Sequence, residues 1–330
     1  MRISTSRISV SLAAVLACTS LTAHAFEPGS GAECIAPSDP GGGWDFTCRT
    51  GGQVLADLDL VPGNVQTINM AGAGGGVAYA HVVAKREGDE NLIIAASTAV
   101  PTRLAQGQFP GMTMDMVRWI GTVGSDYGVI AVTDDSPYQN LEELMDAIKE
   151  DPRAVKFAGA SAKGGWDHLK ALIAARAAGV DTLREIPYLS YNNGGEALTQ
   201  VVGGHLDAFT GDISEARGFW ESGDLRILAV LAPERLPGDF SSIPTAREQG
   251  VDAIGPNWRG FYMPAGISDE AYEYWVNAVE TLYESDEWKD VMATNGLMPF
   301  HYSGEEFKEF MAQQVEDIRE LSAELGMVAQ

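Results

Sequence analysis

Three consecutive glycines, Gly41, Gly42 and Gly43, lie between Cys34 and Cys48 in the stretch CIAPSDPGGGWDFTC, with Trp44 and Asp45 directly behind them. Three further stretches have the same grammar of apolar run, glycine-rich turn and helical pattern: INMAGAGGGV (Ile68–Val77), FAGASAKGGWDH (Phe157–His168) and PYLSYNNGGEAL (Pro187–Leu198). A turn of this kind aims unpaired backbone N–H groups outward at a helix N-terminus, where the helix dipole favours an anion. Glycine lets a ligand come close to the backbone and supplies positive φ where the turn needs it. One such turn is commonly just a turn. Four of them on separate strand-to-helix connections point to a shared anion site, because open α/β sheets bind ligands at the carboxyl ends of their strands.

The known phosphate motifs do not fit. Gly159 to Gly164 begins like a P-loop, but Gly165 and Trp166 stand where Lys and Ser/Thr are required. Gly72-Ala73-Gly74 would open a dinucleotide fingerprint, yet its sixth position is Val77. Ser161 has Lys163 in place of the second glycine of a nucleophile elbow, and His81, His168, His205 and His301 form no metal-binding pair. Asp45, Asp167 and Asp212 could in principle act as acid and base, but their spacing specifies nothing. Binding without chemistry is the simpler account, so no catalytic residue, metal or cofactor is expected.

The elements that must position these turns alternate between strand and helix, an α/β pattern with largely parallel strands. Strands are expected at Asn64–Asn69, Leu92–Ala96, Gly128–Val132, Val155–Ala158, Leu183–Pro187, Leu206–Thr210, Leu225–Leu231 and Gly260–Met263. Asn140 to Glu143 and Ser303 to Glu306 read as capping boxes, and Ser268 opens a helix running to about Ser285. A C-terminal helix carries Phe307, Phe310, Met311, Val315, Ile318 and Leu321 on one face, which suits packing on its own domain. No linker rich in Pro, Gly or Ser divides the chain. Two domains would therefore be joined through strands, with crossings near Gly124–Gly128 and Gly250–Trp258. That reading gives residues 26–125 plus 255–330 as a discontinuous first domain and 126–254 as the second.

With 22 Lys+Arg against 46 Asp+Glu, the 330-residue chain carries a net charge of −24, so nucleic acid and anionic membranes are poor partners. A small anionic ligand is still compatible, since charges are screened beyond about 8 Å at physiological salt. Residues 1–25 have Arg2 and Arg7, a short apolar run and an Ala23-His24-Ala25 cleavage pattern, and read as a secretory signal cut after Ala25. The run is too short and too broken by Ser and Thr for a membrane anchor, which needs about 20 apolar residues. A lipoprotein cut before Cys18 is the alternative, but Leu16 suits that site poorly. Removing the leader leaves Cys34 and Cys48 as the only cysteines. In an oxidising compartment a disulfide is the natural inference; two free thiols or a metal site are the alternatives, and the metal site would lack further ligands.

ECIAPSDPGGGWDFTCR, Glu33–Arg49, closely resembles the first loop of the periplasmic solute-binding proteins of tripartite tricarboxylate transporters, the Bug receptors, especially their tricarboxylate-binding branch. NMAGAGGG, AGASAKGGWDHL, YNNGGEALTQVVGGHLDAF and WRGFYMPAGIS follow in the family's order, so that the resemblance spans nearly all of the chain after the leader. It implies a two-domain flytrap that holds ligand carboxylates in its cleft, mainly through main-chain N–H groups, Ser/Thr hydroxyls and water. Carried over by position, it implicates Gly41, Gly42, Gly43, Gly72, Ala73 and Gly74 on one domain, and Ser161, Gly164, Gly165, Asn192, Asn193 and Asp212 on the other. The chain departs from the pattern at Ala71 in the second loop, where the family usually has Pro, and at Lys163 and Trp166 in the third. Lys163 could pair with an extra carboxylate, and Trp166 could narrow the pocket or stack on a ring.

Two residues of the first loop have competing readings. Trp44 is read as a core aromatic beside the cysteines in preference to a ligand contact. Asp45 either caps the helix or orients the loop, and Arg49, one turn on, could pair with it, reach the cleft or remain solvated. The expected function is capture of a small polycarboxylate, citrate-like, by a monomeric periplasmic protein that delivers it to a permease of one small and one large membrane subunit. An aromatic or C4 dicarboxylate is the alternative ligand. A secreted hydrolase or lyase using Asp45, Asp212 or His168 is the alternative from another class, against which the missing triad argues.

Overall fold

The computed structural model describes residues 26–327, and the leader read from residues 1–25 lies outside them. In chain order the elements are β1 (Glu33–Ala36), α1 (Gly43–Asp57), β2 (Gln66–Asn69), α2 (Gly76–Lys85), β3 (Leu92–Ser97), α3 (Ala99–Ala105) and β4 (Val117–Thr133). Next come α4 (Leu141–Glu150), β5 (Phe157–Gly159), α5 (Trp166–Ala177), β6 (Tyr188–Ser190), α6 (Gly194–Val202), β7 (Ala208–Asp212), α7 (Ile213–Glu221) and β8 (Leu225–Val230). The chain then returns through β9 (Pro256–Pro264), α8 (Asp269–Glu284), α9 (Asp286–Asn295) and α10 (Gly304–Glu324).

The strands run in the order β2-β1-β3-β9-β4-β7-β5-β6, with β8 also paired to β4. Parallel pairing holds among β2, β1 and β3 and among β6, β5 and β7, but β4 and β9 run antiparallel to every neighbour. The expectation of a largely parallel sheet therefore fails at its centre, for a topological reason. β4 spans 17 residues and serves both halves: Val117–Tyr127 pairs with β9, and Gly128 onward pairs with β7 and β8. Each half-sheet is covered on both faces. Apolar clusters centred on Trp275 and Trp288 and on Trp119 and Trp258 flank the first, and clusters centred on Leu169 and Leu172 and on Phe209 and Phe240 flank the second.

Most expected strands appear with shifted ends. Leu183–Pro187 does not: Leu183–Glu185 forms a 3-10 turn, and the strand begins only after Pro187, which has no N–H to give a ladder. Asn140 caps α4 by accepting from Glu143 N, and Ser268 caps α8, which ends at Glu284. Ser303 does not form its box; its hydroxyl donates to Glu280. Helix α10 departs from its expected role as well. Phe307 and Met311 pack on the first half, whereas Leu321 and the following Leu325 join the core of the second. Among the described residues no helix is long and apolar enough to cross a membrane.

Cys34 on β1 and Cys48 on α1 form a buried disulfide with Cα atoms 5.6 Å apart, tying the start of α1 to the sheet.

Candidate functional site

The glycine turns at the ends of β1, β5 and β6 and the second loop before α2 converge on one cavity of about 70 Å³ between the two halves of the sheet. Helix α1 enters from one half with Gly42 as its N-cap, and α5 from the other with Gly165; neither cap has a side chain to bond the first-turn amides. In α5 the Asp167 amide is met by Ser161 Oγ at 3.0 Å; first-turn amides without such a partner need an outside acceptor. Two further helices of the second half, α6 and α7, supply their own: Asn193 caps α6, and Asp212 with Glu215 forms a capping box on α7.

Of the residues read from sequence, Gly42, Gly43, Trp44, Gly74, Ser161, Gly165, Asn192, Asn193 and Asp212 line this cavity. Gly72 and Ala73 line an adjoining groove that shares Trp44, Gly74 and Asn192 with it. The tip from Gly72 to Gly75 has positive φ throughout, including Ala73 at φ 49°, a conformation a non-glycine residue adopts at a cost.

Gly41, Asp45, Lys163 and Gly164 are placed behind the cavity wall. Asp45 accepts from Gly41 N at 2.9 Å, from Asn69 Nδ2 at 2.8 Å and from Arg49 Nε, so it orients the first loop and does not line the cavity. Burial works to raise its pKa, but these partners outweigh burial and hold it below the usual carboxylate value. Lys163 points to solvent; only its carbonyl is used, accepting from Arg103. Gly164, at φ 81°, donates to His168 Nδ1 and accepts from Gln106 Nε2, which links the two halves at 2.7 Å. Trp44 does more than shield the cysteines: its ring packs against the cluster containing them while its indole lines the cavity.

Sequence reading missed an ionic layer beneath the cavity. Lys170, fully buried, bonds Asp212 Oδ1 at 2.6 Å, Asp167 Oδ1 at 2.9 Å and the Gly211 carbonyl. Arg259 Nη2 bonds Asp126 Oδ2 at 2.7 Å and Asp212 Oδ2 at 2.8 Å, and Asn257 adds a third bond to Asp212. Burial works to raise the Asp212 pKa, yet Lys170 and Arg259 hold it below the ordinary value. At Glu215 burial dominates, Asp212 and Asp167 add to it, and the carboxyl is pushed up to about 8, so it carries a proton at neutral pH. Asp167 also accepts from Ala160 N and Ser161 N, which removes those two amides from ligand duty. The one signal for this layer in the sequence is a charge inside an apolar strand, as at Arg259 in NWRGFYM.

Around the same cavity are buried polar atoms without any partner among the described residues: Ser38 Oγ, Trp44 Nε1, Arg103 Nη2, Trp166 Nε1 and Arg259 Nε, with Asn257 Oδ1 as an acceptor among them. The two indoles and two guanidiniums can only donate. Buried donors are nearly always paired in a finished structure. The cavity is therefore built for an occupant rich in oxygen acceptors, met by uncapped helix ends and orphan donors from both sides.

Comparison with known proteins points the same way. The profile of the tripartite tricarboxylate transporter family receptor matches residues 62–327. Protein BugT of Bordetella pertussis is 25% identical over 301 residues, covering 89% of this chain and 90% of BugT. Among solved structures, MatC from Rhodopseudomonas palustris with bound malate superposes with a TM-score of 0.75 at 19% identity, covering 88% of this chain and 98% of that one. An R. palustris protein solved with adipate gives a TM-score of 0.81 at 20% identity, covering 90% and 97%.

Proposed function

The chain belongs to the tripartite tricarboxylate transporter receptor family, and from that premise we propose that it captures a small polycarboxylate, citrate-like, in the cavity between its lobes. It is a two-domain α/β solute-binding receptor of the periplasmic binding protein fold, and not an enzyme. The observation that carries the ligand class is the set of unpartnered buried donors around one cavity, which carboxylate oxygens would satisfy. Malate and adipate, bound by the two R. palustris proteins, are both dicarboxylates and belong beside citrate among the candidates.

In this reading the lobes are residues 26–125 with 255–330 and residues 126–254, hinged through β4 and β9. The switch of β4 from β9 to β7 at Gly128 supports that division. The helix α1 amides and the helix α5 amides come from opposite lobes, so an anion between them binds the closed state better and draws the population toward it. The closed surface is what the permease, of one small and one large membrane subunit, would recognise. The protein acts as a periplasmic monomer after its leader is removed.

A second reading, an aromatic carboxylate, is favoured by one observation: Trp44 and Trp166 both line the cavity and could flank a ring. Thermal unfolding of residues 26–330 with citrate, malate, adipate and phthalate separates the two. A rise in Tm with an aliphatic acid supports the first reading, a rise with phthalate alone supports the second, and no response to any acid contradicts both.

A further inference from the structure

Three buried cations surround the cavity, and two of them are ion-paired. Lys170 and Arg259 each bridge two carboxylates. Arg103 on α3 is equally buried, at 4% exposure, yet no carboxylate among the described residues lies within ion-pair distance of it. Its Nη1 reaches only neutral oxygens, Gln106 Oε1 at 3.2 Å and the Lys163 carbonyl at 3.4 Å, and its Nη2 reaches nothing. A buried charge without a counter-ion is strongly destabilising, so a fold that keeps one has a use for it. Burial lowers the Arg103 pKa and outweighs the opposing effect of Tyr188 and of the Asp167 carboxylate, which lies beyond ion-pair distance.

The surroundings make room for this group. A Cβ on Gly74 would lie 2.9 Å from Arg103 Nε, so the second loop must be glycine where the guanidinium passes beneath it. The side chain also stands at the contact between the lobes. Its Nη1 touches the Lys163 carbonyl of the third loop, and its neighbour Gln106 holds the Gly164 carbonyl. An anion on Arg103 would thus meet the cation with the lobes together.

We propose that Arg103 is the charge-selecting residue of the cavity: it takes a second carboxylate of the ligand, the first being held by the helix N-termini, so that a dianion is bound and the corresponding monoanion is rejected. The forked guanidinium suits a carboxylate through paired N–H bonds. This assigns to Arg103 the salt bridge that Lys163, exposed behind the wall, does not face. The proposal rests on the carboxylate-receptor reading and adds to it a requirement for two charges.

Calorimetric titration tests it with citrate, malate and adipate, and with the half-amides of malate and adipate, against wild type, Arg103→Gln and Arg103→Lys. Wild type should bind at least one diacid or triacid and bind the half-amide of a preferred diacid far more weakly. Arg103→Gln should weaken the preferred acid by roughly 100-fold and change half-amide binding less than about threefold, with Arg103→Lys recovering part of the loss. Without ligand, Arg103→Gln should melt at or above the wild-type Tm, because it removes an uncompensated charge. Equal losses for acid and half-amide, or unchanged binding of the acid by Arg103→Gln, would overturn the proposal while leaving the receptor reading intact. Failure of wild type to bind every acid would remove both.

Discussion

The guanidinium of Arg259 occupies the space in front of Gly43: a Cβ placed on Gly43 would lie 2.6 Å from Nη2 and 2.7 Å from Cζ. The ionic layer held by Asp126 and Asp212 therefore reaches the first turn of α1, and it does so only because position 43 has no side chain. Gly43→Ala should push Arg259 off its carboxylates, lower stability by about 1–3 kcal/mol as overpacking typically does, and reduce ligand affinity as well. Urea unfolding with calorimetry on the same variant checks both.

Gly42→Val should behave differently. A Cβ there meets Ser38 Oγ at 2.8 Å and, across the cleft, Asn193 Cβ at 3.4 Å, and the Gly42 backbone is in an ordinary extended conformation. A branched side chain would stand between the lobes, and Ser38 would have to give way to it locally. The expected outcome is a modest fall in Tm without ligand and loss of the ligand-induced rise. Unchanged affinity would remove the first loop from the site.

Asp45 touches no part of the cavity, yet Asp45→Ala should weaken binding. It would take an acceptor from Gly41 N, Arg49 Nε and Asn69 Nδ2, leaving Asn69 only the Ser38 carbonyl, and so untie the first loop from β2. The loosened loop would then pay part of the ligand's binding energy to order itself. A drop in both Tm and affinity is predicted; a drop in neither would contradict the orienting role.

These three cases also mark how far the sequence could be read. The turns at Gly42, Gly74 and Gly165 were legible because glycine clusters at strand-to-helix junctions have a local cause, and Cys34 with Cys48 because only two cysteines follow the segment read as a leader. Arg259 and Lys170 were not, since their significance lies in carboxylates that the fold brings near them from positions 40 or more residues away, and Arg103 was not, since its significance lies in being buried with no carboxylate at ion-pair distance among the described residues. The same limit hid the reach of α10: its apolar face shows that it packs, but not that Leu321 and Leu325 join the core of the second half of the sheet.

The disulfide closes a short loop, with a sequence separation of 14, between β1 and α1. Loop-closure entropy puts its contribution at about 3 kcal/mol. Reduction, or the double change Cys34→Ala with Cys48→Ala, should lower the Tm clearly and weaken binding through the same loop. An unchanged Tm after verified reduction would show that the first loop is held by packing alone.

Glu215 makes stability depend on pH in a defined direction. Its carboxyl titrates near 4.5 when unfolded and at about 8 in the fold. Between those values the unfolded chain has lost a proton that the folded chain keeps, so this group's contribution falls steadily as pH rises through that window. Glu215→Gln keeps an acceptor for the capping box and cannot ionise. Its urea midpoint relative to wild type should therefore rise from pH 5 to pH 8. A constant difference would mean that Glu215 is ionised throughout. Ligand affinity in the wild type should weaken above pH 8, where a second negative charge would face the anion.

The central claim is that a carboxylate-bearing ligand completes the donors left unpaired around the cavity. A crystal structure of the protein with the acid that raises its Tm most tests this directly. The account predicts carboxylate oxygens within hydrogen-bonding distance of Arg103 Nη2, of Trp166 Nε1 and of the first amides of α1 and α5. Carboxylates bound elsewhere, with those donors still unpaired, would contradict it.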